Sequence, residues 1–107
     1  DSEMPRDKEI LEIGPIRLDA ARYLVVVGGD EVRLTHKEFE TLRFLMSNCG
    51  MVVSRNQLLV QVWGYEVAGE TRTVDAHIQT LRKIGEVDQE AASLIETVRG
   101  VGYRMKG

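Results

Sequence analysis

The strongest constraint on this chain is a helix-start signal that occurs twice. In THKEFETLRFLMSNCG, Thr35 and Glu38 stand three residues apart. At that spacing a hydroxyl caps the N–H three positions on, while the carboxylate reaches back to the N–H of the capping residue. Phe39, Leu42, Leu45 and Met46 then recur at helical spacing before Gly50 stops the run. SRNQLLVQVWG repeats the pattern, with Ser54 and Gln57 at the start, Leu58, Leu59, Val62 and Trp63 on the apolar side and Gly64 at the end. Two helices with a short connection are expected.

A third helix is expected in TRTVDAHIQTLRKIG, where Val74, Ile78 and Leu81 form a narrow apolar stripe. At about 100° per residue, Arg72, Ala76, Gln79, Thr80 and Lys83 gather on the opposite side, which leaves a polar face exposed. Between the second and third helices, Tyr65, Glu66, Val67, Ala68, Gly69 and Glu70 show no periodicity and read as a loop. Residues 10–34 consist of short β-branched and alternating runs broken by Gly14-Pro15, by 19–22 and by Gly28-Gly29, the pattern of an antiparallel sheet of about four strands. Beyond the third helix a polar linker leads to SLIETV and YRM, two strand-like runs joined through Arg99, Gly100, Val101 and Gly102, where either glycine can supply a positive φ. Residues 1–9 are almost wholly polar and read as a linker or frayed terminus. The expected fold is α+β: a winged helix-turn-helix over residues 10–107, with an N-terminal antiparallel sheet, three helices and a C-terminal β-hairpin wing.

A length of 107 residues suits one domain with one modest core, and 29% charged with 43% hydrophobic residues is a globular composition. No apolar run approaches the ~20 residues of a membrane span. A single cysteine, Cys49, and an N-terminus without a signal-peptide pattern point to a reducing, cytoplasmic setting. The net charge of -3 argues against a nucleic-acid partner only on average. Residues 71–83 and 97–107 together hold six basic residues, Arg72, Arg82, Lys83, Arg99, Arg104 and Lys106, against one acid, Asp75. An acidic body with one basic end is an electrostatic footprint for DNA, and the acidic excess elsewhere limits nonspecific binding, so weak affinity is expected of one isolated domain.

Four blocks, LTHKEFETLRFL, VVSRNQLLVQVWG, RTVDAHIQTLRK and TVRGVGYR, carry a resemblance to the C-terminal effector domain of OmpR/PhoB-type response regulators over residues 11–105. That resemblance implies a transcriptional regulator whose third helix, 71–84, enters the major groove of double-stranded DNA while the wing, 97–104, reaches the minor groove. It implies binding to DNA repeats, with subunits that are monomeric in isolation and pair in tandem on DNA. It further implies that the loop of Tyr65, Glu66, Val67, Ala68, Gly69 and Glu70 touches RNA polymerase, and that a receiver domain answering to a sensor kinase precedes this chain in the full-length regulator.

By the same resemblance Arg72, His77, Arg82, Lys83 and Trp63 fall at phosphate-contacting positions, which set register rather than sequence. Gln79 and Thr80 fall at base-reading positions: Gln bonds adenine bidentately, and Thr meets a thymine methyl or a base-edge acceptor. Thr97 and Arg99 belong to the wing. His77 lies at the edge of the apolar stripe and has two readings, a packing histidine and a phosphate donor. Trp63 likewise reads either as core or as an indole N–H donor to the backbone. Tyr103 is expected to pack on the third helix. Catalysis, metal and cofactor have no support: His36, His77 and Cys49 stand at no ligand or nucleophile spacing, and Gly100-Val101-Gly102 lacks the third glycine and the helix of a nucleotide loop. The alternative function is a winged-helix module that recruits RNA polymerase or another protein without reading DNA.

Overall fold

The computed structural model describes residues 10–64 and 71–106. Residues 1–9, expected as a linker, and the loop 65–70 lie outside the described residues. The chain opens with β1 (Ile10–Ile13), β2 (Ile16–Asp19), β3 (Leu24–Val27) and β4 (Asp30–Val32), an antiparallel meander in the order β1-β2-β3-β4. Its register pairs Ile16 with Val27 and Leu18 with Val25. Alternation along β2 and β3 sends these four side chains to one face, where they are buried.

That face is covered by α1 (His36–Ser47), which starts where the sequence signal stands: Thr35 Oγ1 accepts from the Glu38 N–H at 3.2 Å and Glu38 Oε1 accepts from the Thr35 N–H at 2.9 Å. Phe39, Leu42, Leu45 and Met46 all enter the core. At α2 (Arg55–Trp63), Ser54 Oγ caps the Gln57 N–H at 3.0 Å. Next comes α3 (Thr71–Leu81), with Val74, Ile78 and Leu81 buried against α1 and α2. The hairpin is β6 (Ile95–Val98) with β7 (Gly102–Met105).

The expected sheet, three helices and hairpin are all present, with three additions. Val52–Ser54 forms β5, which pairs antiparallel with β7 and makes the wing a three-stranded sheet in the order β5-β7-β6. The third helix ends as an α-helix at Leu81, not residue 84, and tightens into a 3₁₀ segment, Arg82–Glu86. The stretch expected as a polar linker then holds a short helix, α4 (Gln89–Ser93), started by Asp88, whose Oδ1 accepts from the Glu90 N–H. A glycine permits this corner: a Cβ on Gly85 would stand 2.8 Å from Ala92 Cβ, and through that approach Ile84 and Ala91 join the core. No described helix is long and apolar enough to cross a membrane.

Candidate nucleic-acid interface

With its apolar stripe buried, α3 turns Arg72, Ala76, Gln79 and Thr80 outward, and the neighbouring Lys83 is exposed beside them. The polar face expected from helical spacing is therefore the face that is free. Gln79 is exposed and fit to present both the carbonyl acceptor and the NH2 donor of its amide to a base edge. Thr80 is more restricted. Its hydroxyl donates to the His77 carbonyl at 3.0 Å and lies within reach of the Glu38 carboxylate, so its proton is held inside the protein. Toward a groove it offers a methyl group and oxygen lone pairs, which suits a thymine methyl or a base amino group rather than the base-edge acceptor first expected.

The basic residues divide into held and free. Arg82 is half-buried and its guanidinium donates to Thr97 Oγ1 at 2.7 Å and to the Ile95 carbonyl at 3.2 Å. Both acceptors lie on β6, so the side chain ties the end of α3 to the wing. Lys83 Nζ reaches Glu38 Oε1 at 3.1 Å, and Arg104 Nε donates to Glu96 Oε1 across the hairpin at 2.9 Å. Arg72 and Arg99 are exposed, and neither has a hydrogen-bonding or ionic partner among the described residues.

Of its two readings, the contacts of His77 within the protein are those of the packing histidine. The ring sits half-buried edge-on to Trp63, with centroids 4.8 Å apart at 74°. Its Nδ1 lies 2.9 Å from the Thr73 carbonyl oxygen, and since a carbonyl only accepts, Nδ1 carries the hydrogen. Nε2 is the atom left for an outside group, and it donates to a phosphate only as the imidazolium. Trp63 is half-buried beneath it, with Lys37 Nζ 5.6 Å from the ring centroid and donating to the Val62 carbonyl at 2.8 Å.

At the wing tip the turn closes with the Val101 N–H on the Val98 carbonyl at 3.0 Å, and Gly100 holds the positive φ, +77°. Gly102 serves a different need. A Cβ there would stand 2.1 Å from the Val53 carbonyl oxygen, so only glycine lets β5 approach β7. Tyr103 is buried against α3 as expected, and its hydroxyl donates to Asp75 Oδ1 at 2.5 Å. The other oxygen of Asp75 accepts from Arg55 Nη1 at 3.0 Å. Burial, then the Asp75 hydrogen bond and charge, push the Tyr103 phenol up from 10.0 to about 12. This chain of contacts fastens α2, α3 and β7 together behind a cleft of 220 Å³ that Arg99 also lines.

Sequence reasoning counted Asp75 only as one unfavourable charge, and missed Arg55 and Glu38 as participants. The available signal was the isolation of Asp75, a lone acid in a basic stretch, which needs a cationic partner nearby to be tolerated. Because Arg55 supplies that partner, Asp75 is not engaged with Arg72 or Arg99.

Residues 29–105 match the family described as "Transcriptional regulatory protein, C terminal". The sensory transduction protein RegX3 of Mycobacterium tuberculosis is 44% identical over 107 residues, all of this chain and 46% of its own length. The transcriptional regulatory protein SrrA of Staphylococcus aureus is 41% identical over 103 residues, 95% of this chain and 43% of its own. The chain thus spans less than half the length of these curated relatives. Among solved structures, the Klebsiella pneumoniae RstA DNA-binding domain in complex with RstA box superposes with a TM-score of 0.79 at 30% identity, covering 92% of this chain and 97% of that one. The AdeR DNA-binding domain in complex with an intercistronic region gives 0.76 at 28%, covering 90% and 97%. The fold, the exposed face of α3 and these matches together establish that the chain belongs to the OmpR/PhoB-type family of C-terminal effector domains of transcriptional response regulators.

Proposed function

We propose that this domain is the sequence-reading half of a two-component response regulator and binds double-stranded promoter DNA directly, with α3 in the major groove and the wing against the adjacent minor groove. The observation that carries this reading is the pairing of an uncharged, outward-facing reading set, Gln79 and Thr80, with two arginines at its flanks, Arg72 on α3 and Arg99 on the wing, that have no partner among the described residues. Proteins read sequence with neutral hydrogen-bonding groups and hold register with cations on phosphate, and this surface separates the two tasks in that way. That the RstA domain is solved in complex with RstA box and the AdeR domain in complex with an intercistronic region supports direct binding to DNA. In the full-length, cytoplasmic protein a receiver domain answers a sensor kinase, two subunits occupy tandem repeats, and residues 65–70 meet RNA polymerase.

The test is fluorescence anisotropy on duplexes selected by this domain and on scrambled controls, at two salt concentrations. Affinity should fall steeply as salt rises. Gln79→Ala and Thr80→Ala should change which duplex is preferred more than they change affinity for the scrambled one. Absence of binding at low salt would transfer the function to protein recruitment, and a uniform loss with preference intact would remove the two residues from the reading set.

A further inference from the structure

Behind the reading face lies an open cleft of 690 Å³ whose lining includes Glu38, Gln79, Thr80, Lys83, Glu86 and Gln89. Its back wall is an acid. Glu38 is 4% exposed, yet it belongs to α1 and reaches across to the recognition element. One oxygen, Oε1, accepts from the Thr35 N–H at 2.9 Å and from Lys83 Nζ at 3.1 Å, and the carboxylate is also within reach of the Thr80 hydroxyl. A helix cap needs only the first of these contacts. We propose that Glu38 is a positioning residue for DNA reading: it holds Lys83, just beyond the end of α3, away from the phosphate backbone and so restrains sequence-independent binding.

A carboxylate taken out of water is tolerated while its charge is compensated, and withdrawing one partner leaves it uncompensated. Desolvation by itself would raise the Glu38 carboxyl, but the Thr35 N–H, the Thr80 hydroxyl and the Lys83 ammonium outweigh it and hold the group below the usual carboxylate range. The site is therefore charged, and when Lys83 turns outward to a phosphate that charge is left to the Thr35 N–H and the Thr80 hydroxyl alone. A cation beside Gln79 and Thr80 would otherwise attract any duplex equally, because phosphate contacts carry no sequence information. Spending it on Glu38 leaves the reading pair with a smaller nonspecific background.

This inference rests on the proposed DNA-binding function. Glu38→Gln tests it, because glutamine also serves at the third position of a capping box and so retains the start of α1 while removing the charge that holds Lys83. Both proteins are titrated against a labelled duplex of scrambled sequence over a series of salt concentrations, after circular dichroism and thermal unfolding have shown both to be folded. The slope of log affinity against log salt should steepen by roughly 1 in Glu38→Gln, so that its affinity relative to wild type grows about four-fold for each four-fold dilution of salt. Adding Lys83→Gln to Glu38→Gln should return the slope to the wild-type value. A purely structural role for Glu38 would weaken binding or leave it alone, and would not steepen the slope. Equal slopes in a folded Glu38→Gln, or a steepening that survives Lys83→Gln, would overturn the inference. Failure of the wild type to bind any duplex at low salt would instead sink the DNA-binding function, and this inference with it. Should Glu38→Gln not fold, the lysine ammonium NMR spectrum of the wild type decides: the Lys83 signal should keep its position when scrambled duplex is added, and a shift of that signal would overturn the inference.

Discussion

Arg99 shows how one side chain can be spent wholly on a partner. Its position in the hairpin turn is occupied for backbone reasons by any residue, the required positive φ belongs to Gly100, and the guanidinium is exposed without a partner among the described residues. Folding therefore gains little from it. Against a narrow minor groove the same charge meets a strong negative potential. Arg99→Ala should weaken DNA binding by about 1 to 3 kcal/mol and lower the salt slope by roughly 1, with unfolding stability within about 0.5 kcal/mol of wild type. Gly102→Ala should do the reverse. The added methyl would meet the Val53 carbonyl oxygen, a backbone atom that cannot rotate away, so β5 and β7 must separate, stability should drop by about 1 to 3 kcal/mol, and binding should fall only as the wing loosens. Affinity and thermal unfolding measured on the same two samples check both; an Arg99→Ala protein with unchanged affinity would remove the wing from the interface. The sequence showed that the two glycines belong to the hairpin but could not separate their tasks. One is a torsional need visible in any turn, and the other arises from a strand that lies some fifty residues upstream in the chain, as the pairing of Val53 with Tyr103 shows.

At the scale of elements, the wing is useful only if its angle to α3 is fixed, and two tethers fix it: Arg82 to β6, and Asp75 between Arg55 and Tyr103. Tyr103→Phe removes the second tether while keeping the buried ring. The folded phenol is raised from 10.0 to about 12, so its contribution to stability is fully present below pH 10 and is lost as pH climbs through 12. The stability gap between wild type and Tyr103→Phe should accordingly be widest at neutral pH and close between about pH 10 and 12. Tyr23, also raised to about 12, titrates in both proteins and leaves the difference unaffected. Urea unfolding across that range checks this, and a gap independent of pH would mean that the hydroxyl contributes nothing through Asp75. The elements that the sequence made legible are those specified by their own residues: α1 by its reciprocal cap, α3 by an apolar stripe that predicted its free face residue for residue. What escaped was specified from a distance or was too short for a period to register. β5 is three residues long and exists because β7 pairs with it, and α4 has five residues of which Ala91 alone is fully buried. The two arginine and lysine tethers escaped for the same reason, since Arg82 and Lys83 find their partners on β6 and α1, far along the chain.

At the scale of the whole molecule, counting charges along the chain overstates the field that DNA would meet. Of the six basic residues in the two binding segments, Arg104 is matched by Glu96 and Lys83 by Glu38, while Arg82, held by neutral acceptors on β6, keeps its charge, and Asp75 is neutralised from outside by Arg55. Long-range attraction thus rests on few charges above an acidic body, and one domain alone should bind weakly and with strong salt dependence. The same distribution bears on self-association. The buried apolar side chains of both sheets and all four helices form one continuous cluster that includes Ile16 and Leu18 at one end and Ile95 and Met105 at the other. Among the described residues, the large apolar side chains left exposed, Ile10, Tyr23, Met51, Val52, Val87 and Val101, fall on strand ends, loops and turn tips, and no described helix carries a heptad seam. A stable dimer interface needs a contiguous surface of about 800 Å² on each partner, which scattered residues do not provide. Sedimentation velocity of this chain without DNA should therefore give one species of monomer mass, unchanged over a wide range of protein concentration. Pairing should appear only when a duplex bearing two repeats is added, because the DNA then supplies the proximity that the protein surface lacks. A dimer that persists without DNA would show that the chain carries an interface of its own, and would move the origin of tandem binding from the DNA to the protein.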